Sequence, residues 1–274
     1  IVYCMIKTTL PARHMKKYLY ILPIVFLSIA CGTVPITGRK QFNLVSDAEV
    51  LSLSNQSFND YMKTAKISSN TVQSQQVSRV GNKIVQAVIR YFKNAGLGNE
   101  PANYQWQFIL VKDKTPNAFA LPGGKVVVND GILPYTQDDD GLAVVLGHEI
   151  AHAVVKHSSE RLSQQMMAQY GQMAIDALMT GKSNESKKLA STIYGLGAQY
   201  GVMLPYSRTQ EYEADKLGLI FMTMAGYTPE KAPEFWQRMA ANSATVPEFM
   251  STHPADGNRI KALQDAIPEA RKYK

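Results

Sequence analysis

Residues 148–152 read His-Glu-Ile-Ala-His, and this pattern constrains the chain more than any other. Side chains at i and i+4 stack on one helix face, so both imidazoles reach a single cation only if the surrounding stretch is helical. Glu149 is then placed to act as general base toward a water held at that cation, as in zinc peptidases. With 5 histidines in 274 residues, coincidence is a poor explanation of the spacing. The flanking sequence agrees. Asp138-Asp139-Asp140 offers an N-cap and acidic residues for the positive end of a helix dipole, and Leu142, Val145, Leu146 and Ile150 recur at helical spacing. The alternative is a pair of partly buried histidines that hold nothing.

A catalytic zinc takes three protein donors and keeps one position open, so a third ligand must come from elsewhere. Ser207 to Gly218 reads as a helix start after Pro205. Glu211 and Asp215 are spaced i, i+4 and share a face, while Glu213 points elsewhere. We expect Glu211 to be the third ligand. Asp215, one turn on, is expected to accept the free N–H of a ligating histidine and fix its orientation. A solvated acidic helix face is the competing reading. His157, five residues past His152, lies off the ligand face and reads as a group behind the ligands or at a helix end.

Elsewhere the chain reads as an α+β domain, mainly helical, with a small β-sheet. Residues 46–274 suffice for one compact core, and residues 32–45, with Gly32, Pro35 and Gly38, read as a tether. Ser46-Asp-Ala-Glu opens a helix with a capping-box pattern, and a second helix is expected from about Val72 to Phe92. Strands are expected over 104–111, 118–121 and 125–129, the last two joined at Pro122-Gly-Gly. Helix resumes after Glu160, broken by a polar loop over 180–186. Met166, Met167, Met173 and Met179 suit either a pliable apolar surface or, as the favoured reading, plain helical core.

The N-terminal stretch has the form of an export signal. Met15-Lys-Lys precedes an apolar run, and small residues lead to Cys31. The run from Tyr18 to Cys31 is 14 residues long, short of the ~20 that span a bilayer. Ser-Ile-Ala-Cys suggests a lipidation site at Cys31, with Met15 as initiator and residues 1–30 removed; plain cleavage near Ala30 is the alternative. Gly32 after the cysteine implies an outer membrane location facing the periplasm of a Gram-negative bacterium. Cys4 and Cys31 are the only cysteines, so the exported domain is expected to hold no internal disulfide. The net charge of +7 includes four basic residues within positions 1–30, and no basic stripe with interleaved aromatics marks a nucleic-acid site.

His148-Glu-Ile-Ala-His152 with Glu211-Tyr-Glu-Ala-Asp215 resembles the zinc metallopeptidases related to HtpX and to the CAAX prenyl proteases, gluzincins in which two histidines and a glutamate hold zinc. Asn117-Ala-Phe-Ala-Leu-Pro-Gly-Gly-Lys is similar to that family's substrate-side strand. Thr252-His-Pro254 with Arg259 is similar to its C-terminal His-Pro…Arg element, and Pro35-Ile-Thr-Gly-Arg-Lys-Gln-Phe-Asn-Leu-Val to the opening of its soluble, lipid-anchored periplasmic members. The resemblance implies a zincin-like metallopeptidase domain with one Zn2+ per chain, acting on unfolded or misassembled envelope proteins in quality control, with no nucleic-acid partner and a membrane contact through the lipid. A peptide substrate is expected beside Asn117 and Ala118, its backbone extending that edge. His253 or Arg259 would supply the oxyanion donor; alternatively His253 fills the open zinc position in a resting state, or is only a turn histidine. The competing function is a chaperone-like or scaffold lipoprotein whose metal centre is structural. An integral-membrane prenyl-protein protease is disfavoured, because no segment is long and apolar enough to span.

Overall fold

The computed structural model describes residues 31–34, 36–241, 248–253 and 257–274. The expected leader over residues 1–30, Pro35, Pro254 and the side chain of Cys31 lie outside the described residues. Strands β1 (Cys31–Thr33) and β2 (Lys40–Phe42) form an antiparallel hairpin. The segment expected to be a tether is thus paired and tied down: Val34 and Gln41 are buried, and Gln41 Nε2 donates to the Val155 carbonyl at 2.8 Å.

Helix α1 (Asp47–Met62) starts at Ser46, whose hydroxyl accepts from the Glu49 N–H. Helix α2 (Thr71–Asn94) buries Val77, Val80, Ile84, Val85 and Val88 on one stripe. A three-stranded sheet follows, β3 (Gln107–Val111), β4 (Ala118–Leu121) and β5 (Lys125–Asn129), in the order β3-β5-β4. β5 runs parallel to β3 and antiparallel to β4, leaving β4 at the edge. Side chains alternate between faces. Leu110, Ala118, Val126 and Val128 join the main core, while Ile109, Val111, Val127 and Phe119 pack under Phe58, Tyr61 and Met62 of α1. The turn between β4 and β5 uses Gly123 and Gly124 at φ of 87° and 99°, values that L side chains rarely adopt.

The remaining elements are helical: α3 (Asp139–Val154), α4 (His157–Leu178), α5 (Asn184–Ala198), α6 (Leu204–Met224), α7 (Lys231–Ala241), α8 (Glu248–Thr252) and α9 (Gly257–Ala270). This is the mainly helical zincin-like fold expected, with the motif on α3. Asp138 caps α3 by accepting from the Gly141 N–H at 2.8 Å. Every residue of α3 from Gly141 to Val154 is buried, so the helix is the centre of the domain.

The expectation of plain helical core over the methionine-rich stretch fails as well. The stretch over 162–204 is not plain core: Met167, Tyr170, Met173, Leu178, Leu189 and Ile193 are exposed and no residue of α5 is buried. The two helices instead meet through small and polar groups. Gln172 Nε2 donates to Ser191 Oγ at 2.8 Å, and Tyr194 reaches the Ala168 carbonyl at 3.1 Å beside Gly171. Among the described residues, no helix is long and apolar enough to cross a membrane.

Candidate metal centre

Helices α3 and α6 cross at contact distance through two glycines. A Cβ on Gly218 would meet Gly147 C and His148 N at 2.8 Å, and one on Gly147 would meet the Gly218 carbonyl at 2.9 Å. Neither position tolerates a side chain without separation of the helices. Because Gly147 immediately precedes His148, this close crossing sets Glu211 and Asp215, both on α6, against the motif face. Neither glycine stands out as a contact in the sequence; a glycine in each of two otherwise strong helices is the available signal.

The expected residues converge. His148 Nε2 lies 3.0 Å from His152 Nε2 and 3.2 Å from Glu211 Oε2, and His152 Nε2 lies 3.4 Å from Glu211 Oε1. Four-coordinate zinc with bonds of 2.0–2.1 Å separates its donors by about 3.3 Å, so these spacings fit that ion. His253 Nδ1 is 3.1 Å from His148 Nε2 and 2.8 Å from Glu211 Oε2, and one donor atom from each of the four residues lies within 4.8 Å of the others. All four residues are buried.

Each histidine has its other ring nitrogen engaged. His148 Nδ1 is 2.9 Å from Asp215 Oδ1. A carboxylate only accepts, so His148 carries a hydrogen on Nδ1, and Nε2 is the nitrogen left for a cation. Arg259 holds Asp215 from behind, with Nη2 2.9 Å from Oδ1 and Nε in close contact with Oδ2. Arg259 is itself buried and lies over the Trp236 ring at 4.0 Å. His152 Nδ1 is 2.7 Å from His157 Nδ1.

Burial and charge act against each other at every group. Burial lowers the His148 imidazole, but Asp215 and Glu211 outweigh it and raise the group to about 9. Burial dominates at His152 and His157 and pushes both down. At Glu211 burial favours the neutral form, yet the surrounding imidazoles hold the carboxyl far below the usual range. Asp215 is likewise lowered, with Arg259 outweighing burial. A dense set of donors facing one another, with a carboxylate held ionised among them, is the chemistry of a divalent cation site.

Glu149 faces the same space from the other side. Its Oε2 accepts the Ala120 N–H at 3.2 Å. Its Oε1 is buried and takes part in no hydrogen bond among the described residues, with His253 Nε2 3.4 Å away. On β4, the Asn117 carbonyl accepts the Asn129 N–H at 2.9 Å within the sheet, and the Asn117 side chain caps the Ala118 N–H. It is therefore Ala120, two residues past Ala118, whose main chain turns from β5 toward the centre. Trp236 and Phe249 form a wall that the sequence does not reveal. Their rings stack at 5.4 Å, and Phe249 lies 4.9 Å from the His253 ring. Their spacing carried no signal beyond that of core residues. Arg161, also unforeseen, donates to Glu211 Oε1 at 2.9 Å.

Residues 73–267, well over half of the chain, match peptidase family M48. The mitochondrial metalloendopeptidase OMA1 of Schizosaccharomyces pombe is 33% identical over 244 residues, covering 87% of this chain and 67% of that protein. The corresponding mitochondrial enzyme of Homo sapiens is 29% identical over 258 residues, 92% of this chain but 48% of its own length. The beta-barrel assembly-enhancing protease of Yersinia pestis is 30% identical over 207 residues, 73% of this chain and 40% of its own. These relatives support the family and not the HtpX and prenyl-protease branch. They also correct the expected location: relatives that cover 87%, 96% and 92% of this chain are mitochondrial enzymes, against a Gram-negative periplasmic lipoprotein anchored at Cys31.

Proposed function

The chain belongs to peptidase family M48 and is a zinc metalloendopeptidase, and on that footing we propose that His148, His152 and Glu211 hold the catalytic ion while Glu149 moves the proton. Asp215 orients His148, and Arg259 orients Asp215. Zinc, when bound, polarises the scissile carbonyl and lowers the pKa of water. Glu149 Oε1 takes the proton from the attacking water and delivers it to the leaving amine. The hydrogen bond from Ala120 holds the Glu149 carboxylate in place through its other oxygen. The edge of β4 around Ala118 and Ala120, which pairs with no further strand among the described residues, takes an extended peptide as an added strand, the Asn117 side chain giving way at the Ala118 N–H, with little demand on its sequence.

His253 has two roles in this account. Its Nδ1 supplies a fourth donor beside Glu211 and His148, closing the centre in a resting state. Its Nε2 faces Glu149, so when Nδ1 is released the ring can donate to the developing oxyanion. Four protein donors are the mark of a structural site, the one observation favouring a purely structural metal; an intact Glu149 with a free oxygen beside those donors speaks against it.

A substrate that must lie extended along an edge strand is unfolded or misassembled at the cleavage site. We therefore assign the chain to proteolytic quality control of poorly assembled membrane or envelope proteins, supported by the beta-barrel assembly-enhancing protease among its relatives. The single observation carrying the catalytic reading is the buried Glu149 Oε1, which makes no hydrogen bond among the described residues and faces the donor cluster. Cleavage of casein that a chelator stops and zinc restores, with a folded globular protein left intact, is the expected result. Chelator-insensitive cleavage would overturn it.

A further inference from the structure

His152, unlike His148, has no carboxylate on its second nitrogen. It has another histidine. Lys156, in the left-handed region at φ 60°, breaks the chain between α3 and α4 and folds His157 back over His152, their ring centroids 4.7 Å apart. His157 Nε2 is 2.9 Å from Glu213 Oε2. The Glu213 Oε1 atom accepts the Thr37 hydroxyl, and Arg39 Nε donates to Oε2 at 2.9 Å. The far side of the same guanidinium grips Glu160 with two bonds of 2.8 Å. Glu160 is also met by Gln210 Nε2 at 2.8 Å. His157, Glu160 and Glu213 are all buried, and none of them is among the four donors of the centre described above.

We propose that Thr37 and Arg39 on the N-terminal hairpin are positioning residues for the zinc centre, acting on His152 through Glu213 and His157. The proton positions follow from the partners. Glu213 accepts only, so His157 carries its hydrogen on Nε2. The Nδ1 of a neutral His157 is then an acceptor, and His152 must donate to it from its own Nδ1. That leaves the His152 Nε2 lone pair directed at His148 and Glu211, 3.0 and 3.4 Å away. Arg39 joins two buried carboxylates, Glu213 and Glu160, so it fixes where Glu213 sits. The two ligand histidines are thus held by matching devices: Asp215 backed by Arg259 for one, and His157-Glu213 backed by Arg39 for the other. Alternate residues of α6 serve them, Glu213 on one face and Glu211 with Asp215 on the other. Thr-Gly-Arg at residues 37–39, a stretch the sequence marks without explaining, thereby gains a role.

The inference rests on His152 as a zinc ligand. Its test is zinc affinity, read by competition with a chromophoric chelator on the full chain, beside the melting temperature of the metal-free protein. His157→Phe should weaken zinc by about 10–100-fold, the usual effect of losing a group that orients a ligand. Arg39→Ala should weaken it about tenfold, and Arg39→Ala combined with His157→Phe should bind zinc no worse than His157→Phe alone, because both act through one path. In nitrogen-15 NMR, the His152 ring of the wild type should carry its hydrogen on Nδ1 and lose that single form in Arg39→Ala. Should Arg39→Ala fail to fold, Thr37→Val probes the same contact more mildly, with the NMR form as readout. Zinc affinity of Arg39→Ala or Thr37→Val within twofold of wild type with the ring form unchanged, or losses that multiply in the double variant, would overturn the proposal while leaving the ligand set standing. A wild-type chain that binds no zinc would overturn both.

Discussion

Replacing Glu149 by glutamine removes one ionisable oxygen and leaves the rest of the site intact. The amide oxygen of glutamine can still accept the Ala120 N–H, which spans 3.2 Å to Glu149 Oε2, and the side-chain volume is nearly unchanged. The contacts that define the donor cluster run among His148, His152, Glu211 and His253 without Glu149, so zinc should stay bound at one ion per chain. What disappears is the acceptor at Oε1, the oxygen of the pair that makes no hydrogen bond among the described residues. A positioned general base contributes about 10²–10⁴ in rate. At ~1.36 kcal/mol per tenfold this is about 3–5 kcal/mol of transition-state stabilisation. Casein cleavage should therefore fall at least about a hundredfold with unchanged zinc content and an unchanged melting temperature. Turnover within a few fold of wild type, at full zinc occupancy, would refute Glu149 as the base.

Further outcomes follow from the same geometry. His253→Ala should retain zinc, because three donors remain, while changing the cleavage rate; an unaltered rate would remove both roles given to that ring. Gly218→Ala should lower stability by about 1–3 kcal/mol, the cost of overpacking, because its Cβ meets Gly147 and His148 at 2.8 Å; thermal denaturation that shows no loss would mean the crossing can open freely. Zinc affinity should rise with pH. A proton and the metal compete for His148, whose imidazole is raised to about 9 by Asp215 and Glu211 against the opposing effect of burial, so affinity should drop about tenfold per pH unit below that value and level off above it. A chelator titration flat between pH 6 and 9 would contradict this.

Much of this site is legible in the sequence because it depends on periodicity. A spacing of four on a helix puts His148 with His152, and Glu211 with Asp215, on common faces whatever the fold around them. The N-cap at Asp138, the strands at 118–121 and 125–129 and the Pro122-Gly-Gly turn are equally local, and the structure has them where expected. What sequence does not show are contacts between distant segments. Gly147 and Gly218 are meaningful only as a pair. His157 reads as lying off the ligand face, but its contact with Glu213, and that of Glu213 with Thr37 and Arg39, join distant segments that no spacing connects. The hairpin of α4 and α5 misleads for a different reason. Methionine and leucine at helical spacing signal an apolar face, not what covers it, and here that face is exposed. The location failed because an apolar run before a cysteine is a short, weakly specific signal, set against similarity that extends over most of the chain.

The central claim is that three side chains from α3 and α6 share one zinc ion. Anomalous diffraction at the zinc edge, from crystals of the zinc-loaded Glu149→Gln protein, tests it most directly. A single peak is expected, bonded to His148 Nε2, His152 Nε2 and a Glu211 oxygen, with His253 Nδ1 as the fourth donor of the resting state and Asp215 on the far nitrogen of His148. A peak elsewhere, or one at the two histidines with Glu211 turned away toward Arg161, would contradict it.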